Sequence, residues 1–175
     1  MRSLAHIRTP TIHFCQCLLY PAAVRRRIIL VAWNIRSLWN IGALFRSADC
    51  FAVEKVVLAG YTACPPRREI SKTALGAEEW ISWEQCSDPE EAMRALAADH
   101  WRIIALEQTP RSVPIGDYAP PEKCCLIVGH EILGVSGHML SLCNDVVAIP
   151  MHGRKHSLNV SVAAGIALEH LRSAL

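Results

Sequence analysis

The sequence predicts an α/β fold with a mostly parallel sheet and helices on both of its faces. Short apolar runs rich in β-branched residues recur along the chain, and stretches with helical spacing separate them. Most of these runs are apolar at consecutive positions, which is typical of strands buried on both faces. Glycine and polar residues follow several of the runs, at the strand ends where ligands bind in such sheets.

The first predicted strand covers residues 28–33, a continuous apolar run. A polar loop follows it, and a helix is predicted from about Asn40 because its apolar residues recur at helical spacing. Residues 55–60 supply the second strand. A rigid basic loop is expected over residues 65–68, and a short strand over residues 80–83.

In the middle of the chain, Asp88 is expected to cap a helix over about residues 89–99, with proline at its first position. Residues 102–106 form the next predicted strand, and residues 124–128 form another buried one. A short helix is expected over residues 137–143.

The segment that joins the last strand, residues 146–149, to the last helix is the most unusual one. Pro150 ends the strand because it lacks a backbone donor, and Gly153 is expected to permit a turn that other residues resist. Ser157 is expected to cap a small-residue helix that runs to about Leu171. A strand, a glycine loop and a helix start together form a ligand-binding arrangement, because the backbone allows close approach and offers unpaired N–H groups.

The chain length of 175 residues predicts one domain, residues 28–175, preceded by an N-terminal arm, residues 1–27. The formal net charge is only +2, but basic residues cluster at 25–27, 67–68 and 154–156. Such patches suit a protein that docks on phosphate with one face; the alternative is that each cluster is a solvated loop.

The eight cysteines form no C-x-x-C pair and no zinc-ligand spacing, so reduced thiols, no metal site and a cytoplasmic location are expected. His152 and His156 are four residues apart, but Gly153 disfavours a helix there. No apolar run reaches the roughly 18 residues that a membrane helix needs. The N-terminal apolar patch is interrupted by His13 and Gln16, which disfavours a signal peptide.

Three stretches, each after a predicted strand, carry a resemblance to a known family. They are Asn40-x-Gly42-x-x-x-Arg46-x-Ala48, Gly129-x-Glu131-x-x-Gly134, and Ile149-Pro150-Met151 followed by Ser157-Leu158-Asn159-Val160-Ser161. In this order they resemble the three motifs of the SpoU (TrmH-like) branch of the SPOUT RNA methyltransferases. The sequence Thr-Ala-Leu-Gly-Ala at residues 73–77 is similar to another loop of that family.

The resemblance implies a deep trefoil knot at the C-terminus, a homodimer with the site near the subunit interface, and S-adenosylmethionine bound in a bent form. It also implies methylation of a ribose 2′-hydroxyl in tRNA or rRNA. Many members of the family carry a separate RNA-binding domain or a long extension. This chain resembles a minimal catalytic domain, so recognition of the RNA is expected from the dimer surface, the N-terminal arm or a second protein.

The candidate catalytic residues by resemblance are Arg46, Asn40, Glu131 and Asn159. A methyl group on a sulfonium is already activated, so the protein must align the acceptor, assist loss of its proton and exclude water. A guanidinium resists losing its proton, so Arg46 would more readily orient a phosphate or stabilise an alkoxide than act as a base; its role stays open. Asn40 is also a candidate helix cap, and Glu131 a candidate partner of Arg46, contact to RNA or helix-start charge. Asn159 is expected on the first turn of the last helix.

The candidate cofactor-binding residues lie at strand ends or in loops that offer backbone groups and an apolar slot: Leu106, Gly129, Gly134, Ile149, Ser157 and Leu158. Turn-making is the alternative for the two glycines. The candidate RNA-binding residues are Arg67, Arg68, Arg154 and Lys155, which would contact phosphates.

Apolar residues of the last helix, among them Val162 and Ile166, are expected to pack against the sheet unless the dimer implied by the resemblance uses them. The competing function is a knotted domain that holds RNA or cofactor without turnover. A Rossmann-type nucleotide-binding enzyme is disfavoured because no G-x-G-x-x-G follows the first strand.

Overall fold

A computed structural model describes residues 26–174 of the chain. The strands are β1 (Arg27–Trp33), β2 (Lys55–Ala59), β3 (Trp83–Cys86), β4 (Arg102–Leu106), β5 (Val113–Pro114), β6 (Lys123–Val128) and β7 (Asp145–Ala148). The helices are α1 (Leu38–Cys50), α2 (Arg68–Ala74), α3 (Ala77–Trp80), α4 (Pro89–Ala98), α5 (Gly137–Ser141) and α6 (Val160–Ser173), with a 3₁₀ turn at Ile115–Asp117.

The strands form one sheet in the order β3-β2-β1-β6-β4-β7-β5, and every pair of neighbouring strands is parallel. The predicted α/β class and parallel sheet are therefore confirmed. β6 lies between β1 and β4, with Arg27 opposite Lys123 and Ile104 opposite Leu126. All seven carboxyl ends meet at one edge of the sheet, which brings distant loops together.

Side chains from the two faces of the sheet enter two separate cores. On β1, Ile28 and Leu30 pack into the core that contains α1 and α6, whereas Ile29 and Val31 pack with α4 and α5 on the other face. Successive strand residues point to opposite faces, so a strand with helices on both sides needs apolar residues at every position. This explains why the strand runs are continuous rather than alternating.

Several predicted elements have different bounds in the structure. The predicted strand at residues 80–83 is wrong, because α3 ends at Trp80 and the strand begins only at Trp83. The basic loop ends earlier than expected, since Arg68 already begins α2. Gly153 has no left-handed φ, and a Cβ atom there would meet nothing within 4 Å, so the expected need for glycine is absent.

The predicted cap of the last helix is also wrong. Helix α6 begins at Val160, and its N-cap is Asn159 rather than Ser157. The Oδ1 atom of Asn159 accepts hydrogen bonds from the backbone N–H groups of Ser161 and Val162 at 2.9 and 3.4 Å. An asparagine caps a helix as well as a serine does, so the two residues could not be separated by residue type alone.

Arg172, in the last turn of α6, donates hydrogen bonds to the backbone carbonyl groups of Phe51, Ala52 and Arg26. Phe51 is the C-cap of α1, where unpaired carbonyl groups favour a cation. Most of the predicted N-terminal arm, residues 1–25, lies outside the described residues, and Arg27 belongs to β1. Within residues 26–174 no helix is long and apolar enough to cross a membrane.

Candidate functional site

Three of the four candidate catalytic residues form one chain of hydrogen bonds. The Nδ2 atom of Asn40 donates to Oε1 of Glu131 at 2.9 Å, and the Nδ2 atom of Asn159 donates to Oδ1 of Asn40 at 3.0 Å. These residues come from α1, the loop after β6 and the start of α6. The chain of bonds therefore joins all three sequence motifs at the carboxyl edge of the sheet.

Asn40 lies inside α1 and does not cap it, so the expectation of a cap is wrong. Ser37 is the N-cap, and its Oγ atom accepts a hydrogen bond from the backbone N–H of Asn40 at 3.3 Å. Asn40 is 9% exposed. Its side-chain amide is thus turned towards the other two motifs, with the nitrogen bonded to one and the oxygen bonded to the other.

Glu131 is bonded to the start of α1 and does not pair with Arg46. Its carboxylate accepts hydrogen bonds from the backbone N–H groups of Arg36 and Ser37 at 3.1 and 3.0 Å. Partial burial is the largest single influence on its pKa and raises it, but the bonds from Ser37, Arg36 and Asn40 together outweigh burial and lower the pKa of Glu131. The expectation of a helix-start charge is therefore met, although the helix is α1, not one that follows Glu131.

One cavity of about 250 Å³ contains all six candidate cofactor-binding residues in its wall: Leu106, Gly129, Gly134, Ile149, Ser157 and Leu158. They lie at or after the carboxyl ends of β4, β6 and β7, which are neighbours in the sheet. Glu131 also lines the cavity, as does the first turn of α6 through Val160 and Ala163. The wall combines backbone groups, apolar side chains and carboxylates.

Glycine is required at positions 129 and 134 of this cavity for two different physical reasons. A Cβ atom on Gly129 would lie 2.5 Å from the carbonyl group of Gly134, so the loop after β6 folds back and its two ends pack backbone against backbone. Gly134 has φ +64°, and a Cβ atom there would lie 2.0 Å from Oε2 of Glu107. Turn-making accounts for Gly134, and close approach of two backbone segments accounts for Gly129.

Glu107 is a cavity residue that sequence reasoning missed. Its Oε2 atom accepts a hydrogen bond from the N–H of Val135 at 2.7 Å, and its Oε1 atom accepts one from the N–H of Gln108 at 2.8 Å. The carboxylate therefore holds the loop after β6 against the end of β4. The signal was present, because Glu107 is the first polar residue after a buried strand.

His130 is a second residue that was missed. It is 9% exposed, and its Nδ1 atom accepts hydrogen bonds from the N–H groups of Ile132 and Leu133 at 2.9 and 3.1 Å. Those two bonds require an unprotonated Nδ1 and fix the tautomer with hydrogen on Nε2. The ring lines the 250 Å³ cavity and also a neighbouring one formed with Arg36 and Asn40.

Arg46 does not lie in the wall of the 250 Å³ cavity. It is exposed and lines another cavity, together with Lys72 and Thr73 of α2 and Val162 and Ile166 of α6. Val160 and Ala163 face the first cavity, so the two cavities use different sides of α6. Within residues 26–174 Arg46 forms no ion pair, and the described chain does not bring Arg46 to the 250 Å³ cavity.

The four candidate RNA-binding residues are all exposed. Arg67 and Arg68 lie at the start of α2, whereas Arg154 and Lys155 lie in the irregular segment before α6. The latter segment continues into His156, which lines the 250 Å³ cavity and was also missed. Two cationic residues, Arg154 and Lys155, therefore directly precede a cavity-lining residue in the sequence.

Comparison with known proteins gives concordant results. The chain is 30% identical over 153 residues to the tRNA (guanosine(18)-2′-O)-methyltransferase TARBP1 of Mus musculus, covering 85% of this chain and 10% of that protein. It is 30% identical over 150 residues to the tRNA (guanosine(18)-2′-O)-methyltransferase of Thermus thermophilus, covering 83% of this chain and 75% of that protein. An AdoMet-bound rRNA methyltransferase from Sinorhizobium meliloti has a similar fold, with a TM-score of 0.80 at 24% identity, covering 85% of this chain and 57% of that one.

This chain spans a tenth of the length of the mouse relative and three quarters of the length of the Thermus relative. The match to a family model extends over nearly all of the described residues. Residues 27–169, which include all three motifs and the complete sheet, match the SpoU rRNA Methylase family. The chain therefore belongs to the SpoU rRNA methylase family.

Proposed function

We propose that this chain is an enzyme that transfers a methyl group from S-adenosylmethionine to a ribose 2′-hydroxyl of tRNA or rRNA. The observation that carries the proposal is the 250 Å³ cavity, which is lined by all six candidate cofactor-binding residues. Family membership and the tRNA and rRNA methyltransferases among the relatives support the reaction class.

The cavity fits the chemistry of this cofactor. Glu107 and Glu131 put two carboxylates on its wall, which complements the positive charge of a sulfonium and an ammonium group. The close packing at Gly129 leaves backbone groups near the cavity, and Leu106, Ile149 and Leu158 supply apolar surface for an adenine ring. When bound, the cofactor supplies an electrophilic methyl group.

The chain's own residues then orient the acceptor and support loss of its proton. In this proposal the hydrogen bonds among Asn40, Glu131 and Asn159 hold the three motif segments in fixed positions relative to one another. Arg46 acts at the acceptor hydroxyl, where its fixed positive charge orients a neighbouring phosphate or stabilises the developing alkoxide; whether it also accepts the proton stays open.

We further propose a homodimer in which each subunit supplies Arg46 to the cofactor cavity of the other. The proposal is supported by the exposed apolar residues of the face around Arg46. Val162 and Ile166 on α6 are 51% and 41% exposed, and Trp39 on α1 is 48% exposed. A second copy covering this face would bury them and would explain why Arg46 lines a separate cavity.

The first test is mass spectrometry of tRNA and rRNA nucleosides from a strain that lacks the protein, followed by methyl transfer with purified protein. Loss of one ribose-methylated nucleotide, restored in vitro, identifies the substrate. Cofactor and RNA binding without turnover would instead establish the non-catalytic alternative.

Arg46→Ala is expected to abolish transfer while cofactor affinity survives; equal rates for this variant and wild type would remove Arg46 from the mechanism.

A mixed dimer tests the sharing of sites between subunits. Co-expression of Arg46→Ala with Leu158→Trp, which fills the cofactor cavity, combines two inactive chains. If Arg46 acts across the interface, mixed dimers contain one complete site and regain transfer. If it acts within its own subunit, the mixed dimers have one chain without Arg46 and one without a cavity, and they stay inactive.

The remaining features of the proposal concern the whole chain. Residues 28–175 are the catalytic domain and residues 1–27 an N-terminal arm, and the C-terminal segment of the catalytic domain forms a trefoil knot, as expected for the family. Arg67, Arg68, Arg154 and Lys155 contact RNA phosphates. The protein works in the cytoplasm, where its RNA substrates occur.

A further inference from the structure

Tyr61 is an aromatic residue held on a rigid turn with most of its ring exposed. It is 59% exposed and lies two residues after the end of β2. Gly60 has φ +66° and packs against Asn34, whose Oδ1 atom accepts a hydrogen bond from the N–H of Tyr61 at 3.1 Å. Thr62 is fully buried, and the single hydrogen of its hydroxyl is within bonding distance of the carbonyl oxygens of Ala32 and Ala59, at 2.9 and 2.8 Å. The backbone on both sides of Tyr61 is therefore fixed.

The ring of Tyr61 lies beside the candidate site. Its centroid is 6.3 Å from that of His130, with the ring planes at 80°. His130 lines both the cofactor cavity and the neighbouring cavity, and its own orientation is set by the bonds from Ile132 and Leu133. The edge contact with His130 and the 59% exposure leave a face of the tyrosine ring open to solvent, beside a residue that lines both cavities.

The cavity that shares His130 with Tyr61 matches the chemistry of a nucleotide. Ile132, which is 78% exposed, and Arg36, an exposed cation, line that cavity together with His130. An unstacked RNA base needs a flat apolar partner, and its phosphates need a cation nearby. The Tyr61 hydroxyl has no hydrogen-bond partner within residues 26–174, so removing it in Tyr61→Phe breaks no hydrogen bond of the described residues.

We propose that Tyr61 is a stacking platform for an unpaired base of the RNA substrate, at or next to the nucleotide that is methylated. The inference rests on the proposed function, because it needs RNA at the adjoining cavity. The rigid turn lowers the entropy lost on binding, since the ring is already in position before the base arrives. The contact is tolerant of base identity, because every base has a flat face.

The test compares Tyr61→Ala with Tyr61→Phe as the matched control that keeps the ring. Equilibrium binding of bulk tRNA, bulk rRNA and a short fluorescein-labelled single-stranded RNA is measured over a range of salt. Tyr61→Ala is expected to weaken RNA affinity about 10-fold to 100-fold, and Tyr61→Phe less than about 3-fold. The slope of affinity against salt stays unchanged in both variants, whereas Lys155→Ala lowers it.

Two further readouts separate this role from others. Cofactor affinity and dimer content, by size-exclusion chromatography, are expected to be equal in wild type and Tyr61→Ala. Loss of RNA affinity that accompanies dissociation of the dimer would overturn the proposal in favour of a protein contact. If Tyr61→Ala binds RNA as tightly as wild type, the stacking proposal is refuted and the proposed function is unaffected. If the wild-type protein binds no RNA, the proposed function is refuted as well.

Discussion

Glu131 is the residue through which charge holds the site together. Its carboxylate accepts two backbone bonds from the start of α1 and one from Asn40, three bonds that span more than 90 residues of chain. A carboxylate is suited to this position because it only accepts hydrogen bonds and complements the positive end of a helix. The charge therefore has a structural effect that is separate from any role in catalysis.

Replacing Glu131 with glutamine tests this effect. The amide keeps the shape but turns an NH₂ group towards a backbone donor, so the free energy of unfolding is expected to fall by about 1–3 kcal/mol at pH 7. Because the folded-state pKa of Glu131 is lowered, its contribution is complete above the unfolded value of about 4.3 and is lost as pH falls through the folded value. Urea unfolding at a series of pH values should show the gap to wild type narrowing below about pH 4.3.

Glu122→Gln is the matched control, because Glu122 is exposed and its side chain makes no hydrogen bond within the described residues. It should leave the free energy of unfolding within about 0.5 kcal/mol of wild type. A gap for Glu131→Gln that stays constant down to pH 3 would contradict the role assigned to its charge.

At the scale of elements, α1 and α2 approach each other closely at Gly42. A Cβ atom on Gly42 of α1 would lie 2.1 Å from Oγ1 of Thr73 and 2.2 Å from the carbonyl oxygen of Ile70. Thr73 in turn donates a hydrogen bond to the carbonyl group of Trp39 at 2.9 Å. The glycine of the first motif therefore has a packing reason, because it lets α2 touch the backbone of α1.

Gly42→Ala is expected to lower the free energy of unfolding by about 1–3 kcal/mol, because the added methyl group pushes the two helices apart. Gly116→Ala is the control, since a Cβ atom on Gly116 would meet nothing within 4 Å. Urea unfolding measures both. Equal stabilities for the two variants would show that α2 can move aside without cost.

The elements differ in how far the sequence predicts them. The strands β1, β2, β4 and β6 were found to within one residue, because continuous apolar runs admit few alternatives in an α/β chain. The short helices α2 and α3 were missed, since each is too short to show a periodic face and they are separated by left-handed residues at Leu75 and Gly76. Short elements depend on tertiary contacts rather than on local pattern.

The same distinction applies to the site. The six cavity residues could be grouped from sequence because each lies near the carboxyl end of β4, β6 or β7, where parallel strands bring loops together. The partner of Glu131 could not be predicted, because it depends on which loop of a distant strand meets the start of α1. The position of Arg46 depends on which side of α1 faces α6. Helical spacing shows that α1 has an apolar side but does not determine which other helix packs against it.

At the scale of the whole molecule, the exposed face of α6 gives a test of assembly. Val162→Glu and Ile166→Glu place charges on residues that are half-exposed in one subunit and buried in the proposed homodimer. Both variants are expected to be monomeric at concentrations where wild type is dimeric, and to lose methyl transfer. Analytical ultracentrifugation and transfer assays measure the two effects.

Ala95→Glu on α4 is the matched control, because Ala95 is exposed and α4 packs on the opposite face of the sheet. It should keep both the assembly and the activity. Full activity in monomeric Val162→Glu would show that one subunit contains a complete site and would refute the sharing of Arg46.

The place of β6 between β1 and β4 has a consequence during synthesis on the ribosome. When the first hundred residues have emerged, β1 has its neighbour β2 on one side but an open row of backbone donors and acceptors on the other. That row is filled only after residues 123–128 leave the exit tunnel. Until then the nascent chain presents an apolar strand edge of the kind that chaperones cover and that stray chains join.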